Sequence, residues 1–160
     1  MRWTLVDSPI DPLGIAVDDH GICRVQFAGL PATVVACSDP ALDALAAQLG
    51  EYFAGRLTDF DVALSIPGGS DFERAVWQEL ARIPYGEMHT YGQVAAAVGD
   101  PDAARAVGVA CNRNPIPLVI PCHRVVGADG KLVGFGGGLW RKKHLLELEA
   151  RVRIEREWAV

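Results

Sequence analysis

With 160 residues, half of them apolar, the chain is long enough for one ordinary domain or two small ones with real cores, and needs no disulfide staples to fold. No run approaches the apolar length of a membrane span. Met1-Arg2-Trp3-Thr4 followed by Asp7 lacks the basic head and apolar middle of a signal peptide, and Cys23, Cys37, Cys111 and Cys122 show no paired spacing, so an intracellular, reducing compartment is expected. The net charge of -5 argues against a nucleic-acid binder only until it is divided: residues 1–70 carry three basic against nine acidic side chains, whereas residues 101–144 carry seven against two. The basic footprint is local, and a solvated charged surface gives the same count.

Taken in order, Leu13–Val17 and Ile22–Phe27 read as two strands around a polar Asp18-Asp19-His20-Gly21 turn. Asp39 followed by Pro40 predicts a capped helix start, and Leu42, Leu45, Leu49 and Phe53 recur at helical spacing up to Gly55. Val62, Leu64 and Ile66 alternate as a further strand. Pro67-Gly68-Gly69 is the strongest linker signal, which divides the chain into an α/β scaffold domain, residues 1–67, and a second domain, residues 68–160. No recognisable chemistry falls in the first, which reads as a scaffold or an oligomerisation surface.

Ser70 with Glu73 forms a capping box, and Phe72, Val76, Leu80 and Ile83 give a buried stripe with Trp77 beside it. Trp77 reads as packing more readily than as a base-stacking ring. Pro84-Tyr85-Gly86 breaks the chain. Thr90 with Gln93 forms a second capping box that opens a helix over Tyr91–Val98, closed by Gly99, and Asp100-Pro101 predicts the start of another running to about Cys111. Two short helices around a tight turn outline a helix-turn-helix, or an αα-hairpin that serves only as core. The second helix is bare, with Arg105 the only long polar side chain in its middle, so it can approach a groove closely or pack tightly on protein.

Ile120-Pro121-Cys122-His123-Arg124-Val125-Val126 is the stretch where chemistry concentrates. Cys122 lies between a rigid proline and an imidazole, and the positive charge of nearby Arg124 is expected to draw its thiol toward the thiolate, although a buried cysteine on an apolar strand has the same local sequence. Around it stand Arg105-Ala106-Val107-Gly108, Asn114-Pro115-Ile116-Pro117, Gly134-Phe135-Gly136-Gly137-Gly138, Lys142 and Glu149. Across about residues 72–149 this pattern resembles the O6-alkylguanine-DNA alkyltransferase family, with its Pro-Cys-His-Arg-Val core after an Asn-Pro and before a Gly-Gly and a helical Glu.

The resemblance implies an α+β fold: a ribonuclease H-like scaffold of a small antiparallel sheet plus a helix, then a mostly helical winged helix-turn-helix domain. It implies transfer of an alkyl group from O6-alkylguanine in double-stranded DNA to Cys122, and leaves activity on O4-alkylthymine open. Such a base must be extruded to be reached. Arg105 matches the arginine that fills the vacated stack, Tyr91 the hydroxyl that meets the extruded base, and Phe135 the position where relatives usually carry tyrosine. Gly136 stands where several have serine, leaving a smaller pocket wall. His123 matches the base that takes the thiol proton through a water, Glu149 the carboxylate that fixes its tautomer, and Asn114 the brace around the nucleophile. Glu147, two positions from Glu149, points elsewhere on the helix. Lys142 reads either as a site residue or as part of a solvated helix face. The Gly136–Gly138 run lacks the Lys-Ser/Thr ending of a phosphate loop and reads as a pocket wall.

The thioether product is not readily reversed, so each molecule is expected to act once, as a monomer, with no metal, cofactor or obligate protein partner, in the cytoplasm near the nucleoid or in a nucleus. His20, Cys23 and Cys37 offer three zinc ligands without a clear fourth; some relatives carry a structural zinc in this part. A lesion-binding protein without transfer activity is the alternative, against which stands the presence of Cys122. A cysteine hydrolase is disfavoured because adjacent Cys and His fit a triad poorly, and a helix-turn-helix regulator because the bare second helix offers few groups to read bases.

Overall fold

The computed structural model describes residues 1–159 and divides into two compact units, Met1–Gly68 and Gly69 onward. In the first, β1 (Arg2–Val6), β2 (Leu13–Val17) and β3 (Ile22–Gln26) form an antiparallel sheet in the order β1-β2-β3. Every residue of β2 is buried, as befits the central strand. The turn between β2 and β3 is tied by the Asp18 carboxylate, which accepts from the backbone N–H of His20 at 2.8 Å and of Gly21 at 3.2 Å. Gly21 has no tolerance for a side chain, since a Cβ there would lie 2.5 Å from the Ala63 carbonyl oxygen.

Helix α1 (Pro40–Phe53) begins as its sequence predicts, with Asp39 accepting from the Ala41 N–H at 2.8 Å and Pro40 in the first turn. Its buried face is Leu42, Leu45, Leu49 and Tyr52; Tyr52, not Phe53, completes the stripe. Two further expectations for this unit need correction. Arg2–Val6 is a strand that the sequence reading does not assign, because Leu5 is exposed at 42% and the apolar alternation is broken. Val62–Ile66 is not a strand but a single bridge, Ile22 to Leu64, flanked by Ile22 N–H to the Ala63 carbonyl at 2.8 Å and Ser65 N–H to the Ile22 carbonyl at 2.7 Å. The residue that turns inward is Ser65, whose hydroxyl donates to Asp18 at 2.7 Å, and this polar anchor overrides the apolar alternation around it.

The second unit is mostly helical: α2 (Asp71–Leu80), α3 (Tyr91–Ala97), α4 (Ala104–Asn112) and α5 (Leu139–Trp158), with β4 (His89–Thr90) and β5 (Val125–Val126) joined in a short parallel pair. Both capping boxes form, Ser70 with Glu73 and Thr90 with Gln93. Trp77 is core: its indole N–H donates to the Ala110 carbonyl at 2.9 Å, tying α2 to α4. Helix α4 starts later than Asp100-Pro101 predicts, at Ala104 and without a side-chain cap, because residues 100–103 close a turn of their own through Ala103 N–H to the Asp100 carbonyl. Among the described residues no helix is long and apolar enough to cross a membrane, and no three His, Cys, Asp or Glu side chains are grouped to hold a metal ion.

Helix α5 carries the unit's anomaly. Its outer face is laced by Lys143–Glu147, Arg151–Glu155 and Arg153–Glu157 ion pairs at helical spacing, whereas its buried face sets Lys142 and Glu149 among Leu145, Leu148 and Val152. Two ionisable side chains on a core-facing stripe cost free energy unless each is compensated. Their partners mark the site.

Candidate active site and nucleic-acid interface

Cys122 opens a single 3-10 turn, Cys122–Arg124, reached through a tightly folded loop after α4. Asn114 organises that loop from both ends of its amide: its Nδ2 donates to the Ile120 carbonyl at 2.8 Å, and its Oδ1 accepts from the Ile116 N–H at 3.0 Å. Between them Leu118 adopts a left-handed backbone (φ 76°), a conformation costly for a branched side chain and sustained here by the surrounding hydrogen bonds. The Cys122 N–H donates to the Ile120 carbonyl at 2.8 Å, and the thiol ends 5% exposed.

The expected charge on that thiol is corrected by its surroundings. Burial pushes the Cys122 pKa up, and the opposing pulls from the Asn114 amide and the Lys142 ammonium do not overcome it. Cys122 is thereby held as the neutral thiol. Nor does Arg124 supply the charge: it is 6% exposed and turns to α5, its Nε donating to Glu149 Oε1 at 2.8 Å and its Nη2 to Oε2 at 3.1 Å. Its third nitrogen, Nη1, donates to the Ile83 carbonyl at 2.7 Å, and its guanidinium lies 5.5 Å from the Tyr85 ring centroid.

Glu149 is also the partner of His123, with Nε2 to Oε2 at 2.7 Å, and accepts from the Gly86 N–H at 3.2 Å. Despite burial, the hydrogen bonds and charges of His123 and Arg124 hold its carboxyl well below the usual range, so it is ionised. Burial lowers the His123 pKa, outweighing the pull of Glu149, so the imidazole is neutral. A carboxylate at Nε2 assigns the proton to that nitrogen and leaves Nδ1, which is buried and has no hydrogen-bond partner among the described residues, as a basic lone pair. Glu147 points outward to Lys143.

Lys142 is fully buried, which removes the solvated-face alternative. Its Nζ donates to the Val133 carbonyl at 3.2 Å and approaches the Tyr91 hydroxyl at 3.4 Å, and it lies 5.6 Å from the Tyr91 ring centroid and 5.8 Å from that of Phe135. Burial lowers its pKa, while Cys122 and Cys111 pull the other way. The Tyr91 hydroxyl donates to the Val133 carbonyl at 3.1 Å, and desolvation pushes its pKa up to about 12. Cys111 is a second buried thiol whose pKa, too, is pushed up to about 12. Tyr91 and Lys142 thus meet, with Phe135 near the ammonium and the Cys122 thiol within electrostatic reach of both.

Arg105 and Gly136 lie outside that cluster. Arg105 is exposed on α4, where with Tyr91, Gly108, Val109, Asn112 and Val133 it lines an open cavity of about 620 Å³. Gly108 faces the Tyr91 ring, which a Cβ there would meet at 3.8 Å, an ordinary van der Waals contact. Gly136 is exposed, and a Cβ on it would find Asn112 Oδ1 at 3.9 Å and nothing closer. Arg124 and Lys142 are the polar residues whose places the sequence did not settle: an arginine or lysine on an apolar helical or strand-like run is the available signal, but its partner lies far along the chain.

Fold and site together define a two-unit α/β protein with a buried Cys, His and Glu array beside a groove built on two short helices. Residues 71–151 match the family described as 6-O-methylguanine DNA methyltransferase, DNA binding domain, and residues 1–66 match its ribonuclease-like domain. The methylated-DNA--protein-cysteine methyltransferase of Mycobacterium tuberculosis H37Rv is 47% identical over 155 residues, covering 93% of this chain and 92% of its own. That of Methanosarcina acetivorans is 45% identical, covering 93% and 98%. Among solved structures, Mycobacterium tuberculosis OGT in complex with DNA superposes with a TM-score of 0.87 at 44% identity, covering 95% of this chain and 94% of that one. The chain belongs to the 6-O-methylguanine DNA methyltransferase family.

Proposed function

We propose that the protein repairs DNA by direct reversal, moving the alkyl group of O6-alkylguanine in a duplex onto Cys122. The observation that carries this reading is the buried thiol set next to a neutral imidazole whose Nε2 is committed to an ionised carboxylate. His123 takes the thiol proton through Nδ1, directly or by a water. The thiolate Sγ then displaces at the alkyl carbon: the S–C bond forms, the C–O6 bond breaks, and its electron pair passes to the guanine. The departing base takes up a proton, for which Lys142 and Tyr91 are the donors at hand. Asn114 braces the loop behind the nucleophile.

The groove along α4, with Arg105 on its lining, supports DNA as the partner; Arg105 enters the stack that the extruded nucleotide leaves, and Phe135, near the Lys142 ammonium, and Gly136 form the pocket wall. Transfer then belongs to residues 68–160, residues 1–67 acting as scaffold, and the protein works as a monomer where DNA is accessible. Intact-protein mass after incubation with a duplex bearing one O6-methylguanine tests this. Wild type is expected to gain one methylene, mapped to the peptide of Cys122 and saturating at one per molecule, and Cys122→Ser to gain none. Tight lesion binding without a mass gain in wild type would leave a damage-recognition protein instead.

A further inference from the structure

The Arg124 side chain lies in the core, yet transfer as derived above gives it no task. It is held on three sides: by Glu149 on α5 through two parallel N–H bonds of 2.8 and 3.1 Å, by the Ile83 carbonyl at 2.7 Å, and by the Tyr85 ring. The segment Ile83–Gly86 closes back on the same carboxylate, since Gly86 N–H donates to Glu149 Oε1. Glu149 Oε2 is therefore shared between Arg124 Nη2 and His123 Nε2, and a rotation of the carboxylate that breaks one contact breaks the other.

We propose that Arg124 is a positioning residue for alkyl transfer: its fork fixes the Glu149 carboxylate in the one orientation that points Oε2 at His123 and leaves the imidazole Nδ1 for the thiol proton. The inference rests on the transfer reading and adds a residue to it. An ion pair serving only stability requires no such sharing. The charge has a second consequence. His123 faces Glu149 and Lys142 from α5 and Arg124 from its own turn; both cations disfavour its protonation and Glu149 favours it. Glu149 in turn faces Arg124, His123 and the segment that carries Tyr85 and Gly86. Removing Arg124 leaves Glu149 acting on His123 less opposed, so the imidazole protonates at higher pH and is lost as a base sooner on acidification.

Arg124→Gln and Arg124→Lys separate these effects, because lysine restores the charge but not the planar fork. Single-turnover transfer from an O6-methylguanine duplex and alkylation of Cys122 by iodoacetamide are followed against pH, with folding checked by circular dichroism and melting. Arg124→Gln is expected to transfer about tenfold to a hundredfold more slowly, the range for loss of a partner that orients a functional side chain, with the acid limb of its profile moved to higher pH. Arg124→Lys is expected to recover the acid limb and only part of the rate. A folded Arg124→Gln with the wild-type rate and profile overturns the proposal. If Arg124→Gln does not fold, an unchanged rate in Arg124→Lys does the same. Should wild type transfer nothing, the transfer reading fails, and the iodoacetamide profile still reports whether Arg124 sets the state of the Cys122 and His123 pair.

Discussion

Two cysteines, one in each unit, are equally hidden and differ in the charges around them. Cys23 and Cys122 are each 5% exposed, and burial raises the pKa of both. Cys23 sits on β3 against Trp3, Ala16, Leu30 and Val34, and the charge that acts on it most strongly is the Asp18 carboxylate, which disfavours a thiolate further. Cys122 has an amide and an ammonium beside it, both favouring the thiolate, and a neutral imidazole next in sequence. Among the described residues, the fully or nearly buried charged side chains and imidazole, His123, Arg124, Lys142 and Glu149, all belong to the second unit. Concealment is common to the two thiols; compensated charge distinguishes one. A core that carries four ionisable groups has accepted a desolvation cost that apolar packing in the first unit avoids.

The largest effect that contrast predicts is total. Cys122→Ser should abolish alkyl transfer while Cys23→Ala leaves its rate unchanged and costs about 1 kcal/mol of stability, as an ordinary core truncation does. Single-turnover assays and urea unfolding of both variants decide it; loss of transfer in Cys23→Ala would erase the distinction.

Next in size is a comparison within α5. Glu149→Gln removes the acceptor of Arg124 and His123 and leaves a buried guanidinium uncompensated, which should cost about 3–5 kcal/mol and slow transfer as well. Glu147→Gln touches only the exposed pair with Lys143, at 67% exposure on each side, and should change neither quantity measurably. Chemical denaturation of the two variants at one pH measures the difference.

These residues also show where a sequence stops being legible. The caps of α1, α2 and α3 were readable because each is a bargain among residues two or three apart, and the Pro67-Gly68-Gly69 break because those residue types change backbone freedom locally. Arg2–Val6, the inward turn of Ser65 and the late start of α4 were not, since each is decided by what the rest of the unit offers: an adjacent strand, the Asp18 carboxylate, a turn that closes on itself. The Cys122 and His123 neighbourhood stands out in the motif itself. That Arg124 turns from the thiol to Glu149, 25 residues on, and that Lys142 lies against Tyr91, 51 residues back, are tertiary facts that no spacing rule contains.

A moderate effect is expected in the pH dependence of stability. His123 has a folded pKa below its ordinary 6.5, so the unfolded chain binds a proton there that the native protein does not, and stability falls as pH drops through that value. Glu149 has a folded pKa below its ordinary 4.5, so its contribution is complete above that value and is lost on further acidification. Unfolding free energies measured from pH ~8 to ~5 should therefore already decline before carboxylates begin to protonate, and His123→Asn should flatten that first decline. A wild-type curve level through this range would mean that the imidazole is charged in the native state.

The smallest effect concerns Phe135, and it asks how much of the site's electrostatics the Lys142 ammonium supplies alone. Phe135 offers that ammonium a ring face at 5.8 Å and no hydrogen-bonding group, while the Tyr91 hydroxyl lies 3.4 Å from it. Phe135→Tyr keeps the ring, and so keeps most of the cation–π attraction, while adding a hydroxyl beside the ammonium. If Lys142 and Tyr91 already supply the departing guanine with its proton, that hydroxyl is redundant at the step where charge develops, and the rate should change by less than about tenfold, roughly one hydrogen bond's worth. Lys142→Met removes the charge and should cost more than Phe135→Tyr gains. Comparing the two in single-turnover assays across methyl- and benzyl-bearing duplexes ranks the donors: a large acceleration in Phe135→Tyr would show that the wild-type site lacks a needed donor, and would move the proton supply from Lys142 and Tyr91 to position 135.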